Sequence, residues 1–334
     1  MPKTFSFALA GSTQNSVASA LPLVEADDFT LEWILTPQPR LVGRQQVLTP
    51  SPVQKKFSQL PAVLINKKIN SQTAEQIKQQ KPVDFLLVVD FGYFLPEWLL
   101  KLPAEGALNI HPSLVPRWRG ASPGQFVLLS GEKQSGVSLF QINQNLDQGP
   151  IVYQQQFEVD PNWTQQDYYR HSFELISPQL PQVLRQLAAG QIEPQPQPLA
   201  CPTPLARTLD KDDAFIEWRL LSSLTDPKTE LDRKTTLLQL PAHSVLKYFL
   251  EQETTANWPL VIERATRALA GWPTLWTKIP TSQGPRRMQL ISCQVKQTDS
   301  DNSKGGGRIK LELDQVRIAG QDQASWNQVK NILV

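Results

Sequence analysis

Residues 109–124 read Asn109-Ile110-His111-Pro112-Ser113-Leu114-Val115-Pro116-Arg117-Trp118-Arg119-Gly120-Ala121-Ser122-Pro123-Gly124, and residues 146–150 read Leu146-Asp147-Gln148-Gly149-Pro150. Asn109 and His111 are two residues apart. On an extended strand such a pair points to one face, so an amide donor and a proton-transfer group can converge on one reacting atom. Pro112 stops the strand, and a loop rich in Pro and Gly follows. A strand end opening into a loop is where open α/β sheets place their active sites. Asp147, just before a Gly-Pro turn, can orient the imidazole.

Working outward, Phe5–Ala10 reads as a buried strand closed by Gly11, with Ser12 or Thr13 able to cap the next helix. Further strands are expected at Phe29–Leu35, Ala62–Asn66, Phe85–Val89 and Leu108–His111. Phe85–Val89 is the most apolar of them and should be central. Helices alternate with these strands, which predicts an α/β fold on a parallel or mostly parallel sheet. Residues 37–52 read as a long polar loop, and residues 71–80 as an exposed helix. Beyond His111, Gly136–Ile142 and Ile151–Val159 look like antiparallel edge strands. Residues 163–188 read as a long apolar-striped helix that Pro178 and Pro181 should kink or split.

Glu193–Pro204 holds five prolines in twelve residues, an extended linker by composition. It divides the chain into a catalytic domain over residues 1–192, the linker over 193–204 and a C-terminal domain over 205–334. Short strands are expected in that last domain near Met288–Val295, Arg308–Leu313 and Val316–Ile318, with the Gly305–Gly307 run between two of them. They suggest a small β barrel.

Formal charge over the 334 residues is only +2, which argues against a molecule that binds nucleic acid over its whole surface. Its distribution is uneven. Residues 1–200 carry 15 Lys and Arg against 16 Asp and Glu, whereas residues 261–334 carry 11 against 6. A basic C-terminal piece can meet a phosphate backbone, although a solvated surface explains the same count. Arg286, Arg287, Lys304, Arg308 and Lys310 flank the expected strands and are the candidate phosphate contacts. The two cysteines, Cys201 and Cys293, lack metal-ligand spacing and fit a reducing compartment. No signal peptide and no membrane span are read, so a cytoplasmic, metal-free protein that is not bound to membranes is expected.

Each candidate has a plainer alternative. A lone histidine is more often structural, and His171 and His243 are read that way. His111 differs because of Asn109, its strand-end place and the loop after it. Asn109 serves either as a satisfied core amide or as a donor to a developing oxyanion. Asp147 either caps its turn or hydrogen-bonds His111 and favours the imidazolium. Ser113 has no second base beside it and is read as a supporting hydroxyl. There is no G-x-G-x-x-G and no G-x-x-x-x-G-K-[ST], so a bound nucleotide is not expected.

Taken together, Asn109-Ile-His111-Pro-Ser-Leu-Val-Pro-Arg-Trp-Arg-Gly120 and Leu146-Asp147-Gln-Gly149 resemble the folate-dependent formyltransferases. Pro116-Arg-Trp-Arg-Gly120 is closer to the methionyl-tRNA formyltransferase family than to its relatives. Phe7–Thr13, Pro50–Val53, Val88–Pro96, Ile216–Trp218 and Arg267–Trp276 resemble further segments, so the likeness runs over most of the chain. The stretch from Trp218 to Trp272 is longer than the family places there.

The resemblance implies a doubly wound, mostly parallel N-terminal domain, a C-terminal barrel resembling an OB fold, and transfer of a formyl group from 10-formyltetrahydrofolate, as cosubstrate, to the α-amine of initiator methionyl-tRNA; a monomer is expected. It implies Asn109, His111 and Asp147 as the catalytic trio. It places the folate against Val88, Val89, Asp90, Phe91, Gly92 and Leu95, with Ser113, Leu114 and Pro116 beside it, and sets Arg44 near the tRNA acceptor end. The rivals are an amino-sugar-nucleotide N-formyltransferase, a hydrolase sharing the trio, and a catalytically weak folate- or tRNA-binding protein. The basic C-terminal end favours tRNA, and the intact trio favours catalysis.

Overall fold

The computed structural model describes residues 3–43, 45–226, 232–297 and 309–333. Two compact units emerge, the first formed by residues 1–123, 134–159 and 168–206, the second by 124–133, 160–167 and 207–334.

The first unit is built on β1 (Phe5–Gly11), β2 (Phe29–Pro37), β3 (Arg40–Val42), β4 (Val47–Thr49), β5 (Ala62–Ile65), β6 (Phe85–Val89), β7 (Gly106–His111), β8 (Gln134–Gln141) and β9 (Ile151–Glu158). Seven of these make one sheet in the order β5-β2-β1-β6-β7-β8-β9. Pairings from β5 to β7 are parallel, and β8 and β9 add antiparallel edges. The all-apolar β6 lies in the middle, as its sequence predicts, because a central parallel strand is covered on both faces. Helices along residues 14–188 are α1 (Gln14–Val24), α2 (Pro52–Lys56), α3 (Ser71–Lys78), α4 (Glu97–Leu100), α5 (Pro123–Ser130), α6 (Gln165–Ile176) and α7 (Leu180–Ala188), of which α5 beyond Pro123 and the start of α6 belong to the second unit. Thr13 caps α1 in a capping box with Ser16. The expected kink falls at residues 177–179, a 3-10 turn between α6 and α7 where Pro178 and Pro181 interrupt the bonding ladder.

Two apolar layers cover the sheet. Leu87, Val89, Leu108 and Ile110 pack on one face with Phe173, Ile176 and Val183. Leu86, Val88 and Ala107 pack on the other with Ile77, Leu95 and Leu99. Asn109 and His111 therefore lie on the face that Ala107 shares with Val88, at the C-terminal edge.

The segment over residues 37–52 departs from expectation. Residues 37–52 are not a featureless loop, because β3 and β4 pair as a two-stranded hairpin with Leu41 opposite Leu48 and Val42 opposite Val47. The prolines and glycine hid these two cross-strand apolar pairs, which stabilise a hairpin at the surface. All four side chains are exposed.

The second unit contains α8 (Trp218–Thr225), α9 (Arg233–Leu238), α10 (Val245–Gln252) and α11 (Trp258–Ala268), then β10 (Trp276–Ile279), β11 (Arg286–Gln297), β12 (Ile309–Ile318), β13 (Gln323–Ser325) and α12 (Trp326–Val329). Its strands form a four-stranded antiparallel sheet, β10-β11-β12-β13. The segments expected around 308–313 and 316–318 are one strand, β12, whose partner register shifts around Ser292. A strand with such an irregularity bends without ending, so the two short segments are one element. The long stretch between Trp218 and Trp272 is filled by α8–α11, anchored by the fully buried Trp258.

Candidate active site

His111 ends β7 and is buried. Its Nε2 lies 3.0 Å from the Trp118 carbonyl. A carbonyl only accepts, so Nε2 carries the hydrogen and Nδ1 is the nitrogen left to exchange a proton. The chain returns to His111 because the loop after Pro112 is held at several points. The Ser113 hydroxyl donates to the Arg117 carbonyl at 2.8 Å. Tyr168 donates to the Pro112 carbonyl at 2.9 Å, and Gln154 to the Val115 carbonyl at 3.0 Å. Trp118 takes a left-handed backbone, φ 54°, which turns its carbonyl within reach of the ring.

Asp147 Oδ2 stands 3.9 Å from His111 Nδ1. This is ion-pair range, longer than the direct hydrogen bond expected from sequence. The same oxygen accepts the Gly120 backbone N–H at 2.7 Å. Asp147 too is left-handed, φ 52°. Gly120 is required where it stands, since a Cβ there would lie 2.5 Å from the Ala206 carbonyl oxygen. Gly149 meets a sharper limit, because a Cβ would overlap the Gln141 carbonyl. The Gly residues of both motifs thus let backbone pass close enough to set the carboxylate against the ring.

The proline-rich stretch completes this scaffold. Gln197 donates to the carbonyls of Asp147 and Gly149 at 3.1 and 2.7 Å. Its Oε1 accepts from Arg119 Nε and Nη2 at 3.1 and 2.8 Å, and Arg119 Nη2 also donates to the Pro198 carbonyl at 2.8 Å. Thr203 Oγ1 accepts the Trp118 N–H at 2.7 Å. Arg119 is buried, and these bonds satisfy a charge that would otherwise be costly. No sequence signal marked Gln197 or Thr203, because their partners are 48 to 85 residues away.

The structure brings Asn109, His111 and Asp147 to one edge of the sheet. Val88 and Val89 are buried at the end of the neighbouring β6, followed by the half-buried Asp90 and Phe91, the exposed Gly92 and the buried Leu95. Ser113 is buried, while Leu114 and Pro116 are half-buried in the loop. The expected basic contacts divide. Arg286 donates to the Ala319 carbonyl, and Arg287 stacks on Trp276 at 4.6 Å. Lys310 sits opposite Lys296 at the far end of the β11–β12 ladder, roughly 30 Å from Arg287 at strand rise. Lys310 and Lys296 line a cavity of about 450 Å³ with Glu312, Asp314 and Trp326. Arg44, Lys304 and Arg308 lie outside the described residues. For metal ions, Asp210, Asp212 and His243 offer three ligand atoms within 4.8 Å of one another, all exposed.

Residues 9–184 match the family model described as formyl transferase. A methionyl-tRNA formyltransferase of Acidithiobacillus ferrooxidans is 33% identical over 189 residues, 56% of this chain and 60% of that protein. The match thus spans less than two thirds of that relative. A methionyl-tRNA formyltransferase of Halorhodospira halophila is 32% identical over 235 residues, 69% of this chain and 71% of that protein. Among solved structures, an N-formyltransferase from Helicobacter canadensis, in complex with folinic acid and dTDP-3-aminofucose, covers 93% of this chain and 100% of its own, with a TM-score of 0.55 at 13% identity. That likeness establishes the shared fold.

Proposed function

The chain belongs to the formyl transferase family, and from that premise we propose that it moves a formyl group from 10-formyltetrahydrofolate to the α-amine of initiator methionyl-tRNA. One observation carries the chemistry: an imidazole at the end of β7 with a carboxylate 3.9 Å from its exchanging nitrogen and an amide two residues before it. The relatives named methionyl-tRNA formyltransferase, 32–33% identical, support the choice of acceptor.

Formyl transfer passes through a tetrahedral intermediate. The amine attacks the formyl carbon, and the carbonyl electrons move onto oxygen. Asn109 donates to that oxyanion. The new C–N bond leaves an excess proton on the amine nitrogen, and the leaving folate nitrogen needs one. His111 Nδ1 takes the first proton and supplies the second. Asp147 lowers the cost of the positive ring between the two events. The folate lies along Val88–Leu95 and the loop carrying Ser113, Leu114 and Pro116. Arg44, Arg286, Arg287, Arg308 and Lys310 contribute phosphate contacts to the tRNA. A monomer working in the cytoplasm belongs to the same reading; among the described residues no helix is long and apolar enough to cross a membrane.

The test is formyl transfer by the purified chain from 10-formyltetrahydrofolate, with charged initiator tRNA and an amino-sugar nucleotide as parallel acceptors. Transfer to the tRNA is expected. Transfer to the sugar nucleotide alone would replace the acceptor, and transfer to neither would refute the function.

A further inference from the structure

Asp90 stands beside His111 on the neighbouring strand. Val89 pairs with Ile110 at the end of the β6–β7 ladder, so Asp90 and His111 come next to each other where adjacent strands run about 4.8 Å apart. The Asp90 backbone is left-handed, φ 47°, a conformation that surroundings must impose on a residue with a side chain. Those surroundings are the turn between β1 and α1. Ser12 Oγ donates to the Asp90 carbonyl at 2.7 Å, and Thr13 Oγ1 and Asn15 Nδ2 donate to its Oδ2 at 2.8 and 2.9 Å. Both side-chain donors converge on one carboxylate oxygen. Among the described residues, no Lys or Arg pairs with Asp90. Burial pushes its carboxyl above the usual range, against the bonds from Asn15 and Thr13 and the attraction of His111. The turn contributes only neutral groups, and His111, with Asp147 beyond it, is the titratable neighbour across the site. A carboxylate held this way, without a cation of its own, suits a cation that arrives with a ligand.

An amino acceptor brings such a cation. His111 has one exchanging nitrogen, and the transfer itself occupies it. An acceptor that arrives as an ammonium carries one proton more, which must leave before attack. The geometry points to Asp90 as the residue that receives the acceptor's ammonium at Oδ1 and takes that proton, so that the amine meets the formyl carbon neutral. The step converts ammonium and carboxylate into amine and carboxylic acid, with no change of oxidation state. Asp90 returns its proton to water after the formylated product leaves. This role rests on the formyl-transfer function proposed above, and it is separate from the folate contact expected of the same segment.

The experiment compares the full chain with Asp90→Asn in transfer to charged initiator tRNA across pH, at matched tRNA saturation. The asparagine keeps an oxygen for Thr13 and Asn15 and removes the charge. Below about pH 7, where an α-amine of pKa roughly 8 is mostly ammonium, kcat/KM should fall about a hundredfold. Above about pH 9 the acceptor arrives neutral, and the variant should come within a few-fold of wild type. An equal loss at every pH, as a structural role would give, overturns the assignment, and so does no loss. Asn15→Ala tests it independently, should Asp90→Asn fold poorly. Loss of a donor to the charged carboxylate favours its protonation, so the acidic limb of the profile should move to higher pH; an unmoved limb counts against Asp90. A wild-type chain inactive with every acceptor would overturn the formyl-transfer function as well, whereas an active wild type with a flat variant profile would sink the Asp90 role alone.

Discussion

Replacing Asp147 by asparagine should slow formyl transfer about thirtyfold while leaving the fold intact. The magnitude follows from the geometry. Two unit charges 3.9 Å apart, as His111 Nδ1 and Asp147 Oδ2 are, interact by about 4 kcal/mol at an effective dielectric of roughly 20. The pair lies close to water, with the Asp147 side chain 14% exposed, and halving the figure for that screening leaves about 2 kcal/mol. A 1.36 kcal/mol change is tenfold, so kcat/KM should fall by roughly thirty. Structure should survive, because the asparagine Oδ1 can still accept the Gly120 N–H that Asp147 accepts at 2.7 Å. Steady-state kinetics at a saturating folate donor, with circular dichroism as the control for folding, measures both quantities. A loss under about threefold would refute the electrostatic role of Asp147. An equal loss accompanied by unfolding would show that the carboxylate serves only to hold Gly120.

Three further outcomes are expected. Gln197→Ala removes two donated bonds and the main partner of the buried Arg119; urea unfolding should show a loss of about 2–3 kcal/mol, and an unchanged midpoint would mean that the proline-rich stretch does not brace the site. Arg286→Ala with Arg287→Ala should raise the KM for tRNA and leave turnover at saturation nearly unchanged, since phosphate contacts bind ground and transition states alike; an unaltered KM would place the tRNA on another basic face, such as the one holding Lys296 and Lys310. Burial pushes the Cys293 thiol up to about 12, whereas at the exposed Cys201 burial is outweighed by the Thr203 hydrogen bond and the Arg119 charge, which hold the thiol below its usual range. A thiol reagent near neutral pH should therefore label Cys201 first and Cys293 only on unfolding, an order that mass spectrometry of the digested protein reads directly.

The parts of the site that were legible in sequence are those with local causes. Side-chain alternation on a strand set Asn109 and His111 on one face, and Pro112 ended the strand. A continuous apolar run located β6, and two prolines located the break between α6 and α7. What stayed hidden depends on contacts between distant segments. Gln197 is one of two glutamines in a proline-rich stretch until it meets Asp147 and Arg119. Asp90 is one more acidic residue until the turn at Ser12–Asn15, some 75 positions earlier, closes on it. The hairpin β3–β4 was missed because turn residues dominate its composition, while its cross-strand pairs Leu41–Leu48 and Val42–Val47 appear only when the register is known. Net charge likewise pointed to a basic C-terminal piece but not to its division. Arg286 and Arg287 lie at one end of β11, and Lys296 and Lys310 pair at the other.

The most direct measurement is single-turnover transfer of labelled formyl from 10-formyltetrahydrofolate to charged initiator tRNA, by wild type and by His111→Ala, with folate affinity measured alongside. The expected result is labelled formyl-methionyl-tRNA from the wild type and a rate at least about a hundredfold lower from the variant, with folate binding retained. Near-normal transfer by His111→Ala would contradict the proton-transfer role of the residue that ends β7.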